Sequence, residues 1–264
     1  MEAYIVSLKG STDRQKNIKT QCDKFGIKPI FIDAVNGKSL SETEIGQHCN
    51  QEKAKQLFGR ELLLGEIGCA LSHKKIYQEI IDKNLPYAVI LEDDALIGSE
   101  FKEIVSLIIE KKIDYDIVLL GHNRGFKNKE VVDSIDSLWS RYRLNNNYRL
   151  GSLVKGGLGT YGYFISQKGT KKLLGFLECN SLYLPIDKLT SDSNIIEVYG
   201  LLPTVITVAT QFDSLIENNS FRGKDRDGEL VYELGKLIRK TPFFNITRAL
   251  WFQYLRIISI KKIK

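Results

Sequence analysis

The sequence predicts an α/β protein with a mostly parallel central sheet, and three observations carry that prediction. Short β-branched runs alternate with helical stretches from the first residues onward. Tyr87–Leu91 and Asp116–Leu120 are apolar runs without polar alternation, as expected of strands covered on both faces. With 264 residues, 43% hydrophobic and 27% charged, the chain can bury one full core and carry a short appendage.

Glu2–Leu8 reads as a strand, Lys9–Lys24 as a helix of mixed face, and Pro29–Asp33 as a second strand. That order and spacing make a right-handed parallel crossover. Asn36-Gly37 breaks the pattern, and Leu40–Gly59 is polar with weak helical periodicity. A clearer helix runs over Glu66–Lys83, where Ile67, Ala70, Tyr77, Ile80 and Ile81 share a face and Asn84 with Pro86 gives the stop. Tyr87–Leu91 follows as a buried central strand, then a helix over Phe101–Lys111 and a strand over Asp116–Leu120. Gly121–Gly159 is polar, basic and glycine-rich; it reads as a binding loop or lid with room for short strands. Tyr161–Ser166 is a strand, Lys168–Leu177 a helix, Val205–Ala209 a last strand, and Glu217–Glu229 a linker.

Several classes are disfavoured. No run of about twenty apolar residues exists to span a membrane, and Met1–Leu8 reads as a strand rather than a leader, so a cytoplasmic protein is expected. Cys22, Cys49, Cys69 and Cys179 are too scattered for a close-paired zinc or redox motif, and are expected as reduced, buried thiols. The net charge is +6, but Lys236–Lys264 holds eight Lys or Arg and no acid. The remainder is therefore at −2, and nucleic acid is not an expected partner.

The strongest chemical signal is Glu92-Asp93-Asp94, directly after the buried strand. Sheets of this type place ligands beyond the carboxyl ends of their strands. Continued strand alternation would aim Glu92 and Asp94 to one side and Asp93 to the other. A converging pair of carboxylates attracts Mg²⁺ or Mn²⁺, whose open positions take diphosphate oxygens. The plainer alternative is a solvated acidic turn. Local chemistry alone leaves the cluster shared among group transferases, phosphate hydrolases and phospho-acceptor domains.

The ordered motifs Ile5-Val-Ser-Leu8 with Arg14, Phe31–Gly37, Leu64–His73, Val89–Ala95, Gly159–Ser166 and Pro185-Ile-Asp187 together resemble glycosyltransferase family 25, the lipooligosaccharide sugar transferases of Gram-negative bacteria. The resemblance implies a GT-A-like fold, with a nucleotide-binding half over about 1–120 and an acceptor-binding half over 121–220. It implies inverting transfer from a UDP-sugar, in the manner of a β-1,4-galactosyltransferase, to a lipooligosaccharide core. By that likeness Asp94 binds the metal, Glu92 the ion or the ribose, and Ser7, Leu8, Arg14, Ala34, Asn36 and Gly37 hold the nucleotide, with Asp93 nearby. The family often has two arginines where this chain has Arg14-Gln15. Asp187 matches the position of the general base, with a helix N-cap as its plainer reading.

His73, on the apolar face of its helix, is either a satisfied core histidine or a contact to donor or acceptor. The third metal position in such folds is often a late histidine. His48 and His122 are not late, so Gln211 stands in, with an ordinary loop residue as the alternative. The segment 221–264 reads as a linker and a basic amphipathic helix starting at Thr241-Pro242. Phe243, Ile246, Leu250, Trp251, Tyr254, Ile257 and Ile258 share its apolar face. Such a helix anchors on an anionic inner-membrane surface or packs on a core.

Overall fold

The computed structural model describes residues 1–127, 130–133, 138–153, 159–192, 194–209 and 212, all within the unit Met1–Ile216. Strand β1 (Glu2–Ser7), helix α1 (Thr12–Phe25) and strand β2 (Lys28–Asp33) form the expected crossover, with Glu2 opposite Lys28 and Ser7 opposite Asp33. Gly26 stops α1 in a left-handed conformation, φ 60°, and its N–H caps carbonyls of the last turn. The polar stretch after β2 holds two short helices, α2 (Glu42–His48) and α3 (Gln51–Phe58). Ser41 and Glu44 form a capping box on α2, and Asn50 caps α3.

Next come α4 (Leu64–Asp82), β3 (Tyr87–Glu92), β4 (Ala95–Ile97), α5 (Phe101–Glu110) and β5 (Ile117–Leu119). The segment read as a loop or lid with room for short strands contains β6 (Asn123–Lys127), β7 (Glu130–Asp133), β8 (Leu138–Arg143) and β9 (Arg149–Leu153). The chain continues through β10 (Gly162–Ser166), α6 (Gln167–Asn180), α7 (Ile186–Leu189), β11 (Val198–Leu202) and β12 (Ile206–Val208).

Eight strands make the main sheet, in the order β2-β1-β3-β10-β5-β11-β9-β8. From their pairings, β2, β1, β3, β5, β11 and β8 run one way, and β10 and β9 run against them. The sheet is mostly parallel, as expected, with two reversed strands. Its strands alternate between two cores. Ala3, Ile5, Val89, Leu91, Val118 and Phe164 face α1 and α5, joining Ile18, Cys22, Phe101, Ile104 and Ile108. Tyr4, Val6, Ala88, Ile90, Ile117, Leu119 and Tyr163 face α4 and α6, joining Ile67, Ile76, Ile80, Leu173 and Leu177. Each fully buried Ile or Leu contributes roughly 1.5–3 kcal/mol, which explains the unbroken apolar runs.

The chain leaves β1 toward β2 on one side, and β3 lies on the other. This reversal opens a crevice at the carboxyl ends of β1 and β3, where α/β sheets place ligands. No described helix is long and apolar enough to cross a membrane. Gln211 and the expected C-terminal amphipathic helix lie outside the described residues.

Candidate active site

That crevice contains a cavity of about 140 Å³. Ser7 and Leu8 reach it from the end of β1, Ala34–Lys38 from beyond β2, Arg14 from α1, and Glu92-Asp93-Asp94 from the end of β3. Helix α4 forms the remaining wall with Gly65, Cys69 and Ser72.

The wall depends on a close backbone approach. A Cβ at Gly68 would sit 2.5 Å from the Val35 carbonyl oxygen and 2.7 Å from the Gly37 nitrogen, and one at Gly37 would sit 1.7 Å from the Leu64 oxygen. Ser72 Oγ, 2.8 Å from the Val35 nitrogen, accepts its N–H and ties the same loop down. Two glycines and a serine thus hold the loop after β2 against α4. Cys69, Gly68 and Ser72 stand inside the Leu64–His73 motif, yet no role was expected of them. The signal was the glycine in the helix interior, which costs about 1 kcal/mol against alanine and calls for a packing reason.

The acidic tripeptide departs from the expected alternation. β3 ends at Glu92 and the chain turns at Asp93-Asp94, so the two-residue period no longer governs where these side chains point. Arg14 joins both aspartates: Nε lies 2.7 Å from Asp93 Oδ1 and a terminal nitrogen lies 2.6 Å from Asp94 Oδ2. Asp93, 3% exposed, also accepts from Ser7 Oγ at 2.7 Å. Glu92 turns elsewhere, accepting from the Thr160 hydroxyl and lying 3.8 Å from His73 Nε2.

Burial opposes ionisation of Glu92, but His73 and Thr160 outweigh it and hold its carboxyl below the ordinary range. Asp94 moves the other way: burial, followed by the charge of Glu92, pushes its carboxyl up to about 7 against the pull of Arg14. Burial also raises Asp93, against Ser7 and Arg14. The three carboxylates share the crevice with Arg14 and Lys38, and when all are ionised they leave an excess of negative charge that an added cation would offset. Asp94 Oδ1 is buried without a hydrogen-bond partner. An orphaned oxygen in an electron-rich pocket fits Mg²⁺ or Mn²⁺.

His73 does not reach the cavity. Fully buried on the inner face of α4, it lies behind Glu92, with Nδ1 2.7 Å from Tyr163 Oη and Tyr163 Oη 2.8 Å from Tyr77 Oη. Asp187 is not an N-cap: Pro185 occupies that position, and Asp187 lies in the first turn of α7. Burial raises its carboxyl, and it interacts electrostatically with Glu66 and Glu92. It does not line the cavity.

The crevice is acidic and lies at a strand-order reversal, the place where α/β sheets bind ligands. A family model described as glycosyltransferase family 25 (LPS biosynthesis protein) matches residues 1–190, and the chain belongs to that family. Procollagen galactosyltransferase 1-A of Xenopus laevis is 30% identical over 194 residues, 71% of this chain and 30% of that protein. Procollagen galactosyltransferase 2 of Homo sapiens is 26% identical over 195 residues, 71% of this chain and 29% of that one. Probable inactive glycosyltransferase 25 family member 3 of Bos taurus is 28% identical over 196 residues, again 71% of this chain and 30% of that protein. The matches span about a third of these relatives' length. They are animal proteins, whereas the motifs were read as those of bacterial lipooligosaccharide enzymes.

Proposed function

We propose that the protein is an inverting glycosyltransferase that moves galactose from a UDP-sugar to a lipooligosaccharide or lipopolysaccharide core. The observation that carries this reading is the cavity itself, which gathers Ser7, Leu8, Arg14, Ala34, Asn36, Gly37 and all three acids of the tripeptide around one space. Family membership supports sugar transfer, its description supports a lipopolysaccharide acceptor, and the printed names of two relatives support galactose.

In this reading Ser7, Leu8 and the loop Ala34–Gly37 hold uracil and ribose, and Arg14 orients Asp93 and Asp94 toward the diphosphate. Asp94 and Glu92, with Gln211 as third ligand, hold Mn²⁺ or Mg²⁺. When bound, the cation stabilises the negative charge of the departing nucleoside diphosphate. Asp187 takes the proton from the acceptor hydroxyl as that oxygen attacks the anomeric carbon, a single displacement that inverts the centre. Burial raises the Asp187 carboxyl, which strengthens it as a base. The basic segment 221–264 brings the enzyme to the cytoplasmic face of the inner membrane, where a lipid-linked acceptor is presented.

A second reading, a sugar- or nucleotide-binding member without turnover, draws on two observations. Arg14 already engages both aspartates, and one relative is named as probably inactive. UDP release separates the two. With Mn²⁺, UDP-galactose and a lipooligosaccharide acceptor, release is expected; none from any UDP-sugar, with or without acceptor, overturns the enzyme reading.

A further inference from the structure

We propose that Cys69, His73 and Glu92 form a second cation position, which takes a borderline-soft dication of the zinc class and shares the Glu92 carboxylate with the hard-ion position that the proposed function assigns to Asp94. Cys69 and His73 are four residues apart on α4 and so share a helix face. Glu92 meets that face from the end of β3, and the candidate ligand atoms of all three lie within 4.8 Å of one another. His73 is completely buried, and its Nε2 has no hydrogen-bond partner. An unmet polar atom in the interior costs about 1–3 kcal/mol, and this one is aimed at a carboxylate 3.8 Å away.

The other ring nitrogen is already arranged as a metal ligand requires. Nδ1 lies 2.7 Å from Tyr163 Oη, which is backed by Tyr77. In the metal-bound form the Nδ1 proton is donated to Tyr163, and Nε2, which otherwise stabilises the ionised Glu92, gives up its proton so that its lone pair faces Cys69 and Glu92. Thiolate, imidazole and carboxylate together favour zinc-like ions over the all-oxygen preference of Mg²⁺ or Mn²⁺. Three protein ligands leave a fourth tetrahedral direction. Because Cys69 and Glu92 both line the cavity, that direction opens into it, giving the ion an entry path and an exchangeable position.

Zinc bond lengths place tetrahedral ligand atoms roughly 3.3–3.6 Å apart, so binding draws Cys69 and Glu92 inward by about 1 Å. The Cys69 S–H gives its proton to solvent as the sulfur–metal bond forms, while His73 binds neutral and Glu92 binds as the carboxylate. Cys22 and Cys49 are buried elsewhere, in the two hydrophobic cores.

Titrating chelator-treated, full-length protein with Co²⁺ tests the assignment without reference to activity. One equivalent should produce a near-ultraviolet thiolate charge-transfer band with tetrahedral visible bands, reversed by Zn²⁺ and not by excess Mn²⁺. Cys69→Ser should abolish the band, and His73→Gln and Tyr163→Phe should each weaken binding at least tenfold. Asp94→Asn should leave the band in place, so loss of the hard-ion site and loss of this one are distinguishable. Alkylation of the wild-type protein provides a test that does not depend on variants folding: Zn²⁺ should protect Cys69 from iodoacetamide, as read by peptide mass spectrometry. No stoichiometric band, a band that survives Cys69→Ser, or unprotected Cys69 overturns the proposal.

Discussion

Arg14 sits where the acidic cluster would otherwise repel itself, 2.7 Å from Asp93 and 2.6 Å from Asp94. Removing one member of a buried ion pair leaves uncompensated charge, a loss of about 3–5 kcal/mol. Arg14→Ala is therefore expected to lower urea stability by that amount. Arg14→Lys should recover only part of it, because a single compact ammonium lacks the two separated nitrogens with which Arg14 reaches Asp93 and Asp94. Asp94 gives a pH signature in the metal-free protein. Its folded carboxyl titrates at about 7 against 3.8 when unperturbed, so the folded state binds the extra proton. Its contribution to stability is fully present below pH 3.8 and is lost as pH rises through about 7. Asp94→Asn should raise the melting temperature at pH 8 by several degrees, on the order of 2 kcal/mol, with the gain shrinking toward pH 5. Asp187→Asn should lower kcat by about 10²–10⁴ and leave UDP affinity unchanged in calorimetry. At this scale the sequence singled out Asp93 and Asp94 as candidates, but gave no sign that a residue from α1 would pair with both. Thr160 and Tyr163, which hold Glu92 and His73, lie 68 and 90 residues from them, and no local pattern signals such a pairing.

Helix α4 is the element on which the site is assembled. Its buried Gly68 and Ser72 pack against the loop after β2, and its His73 lies behind Glu92. In Gly68→Ala the new methyl would lie 2.5 Å from the Val35 oxygen, so the loop must move off the helix. The expected result is UDP binding at least tenfold weaker, about 1.4 kcal/mol, with far-ultraviolet circular dichroism unchanged. Unaltered affinity would show that Ala34–Gly37 does not hold the nucleotide. Most elements could be read from periodicity, because α4, α5 and α6 show one apolar face and β3 and β5 are apolar throughout. The strands in 121–159 were harder to see. β8 and β9 lie toward the edge of the sheet, and β8 carries Ser140, Arg141 and Arg143 among its apolar residues, so polar composition outweighed a weak alternating pattern.

For the whole molecule, the two cores on either side of the sheet make the crevice a rigid feature between strand ends. Ligands that bind only the folded state stabilise it by mass action, about 2.7 kcal/mol at a hundredfold excess over Kd. UDP with Mn²⁺ should therefore raise the melting temperature more than either alone, and Asp94→Ala should remove the joint effect. A chain ending at Lys240 should lose flotation with anionic liposomes while keeping soluble activity; an insoluble product would instead favour a tail packed on the core.

Short runs of contiguous residues were sufficient for the alternation of strands and helices and for the acidic tripeptide at a strand end, and the order of six such motifs carried the resemblance to the family. The reversed direction of β10, the bracketing of Asp93 and Asp94 by Arg14, and the retreat of His73 behind Glu92 came only with folding. The physical reason is shared. Strand direction and charge pairing depend on which distant segments the buried sheet brings within a few ångströms, and the side-chain period that guided the sequence reading ends where β3 turns at Asp93-Asp94. Hence the acids could be found from their order in the chain, while their hydrogen-bond and charge partners were set by the neighbours the fold supplied.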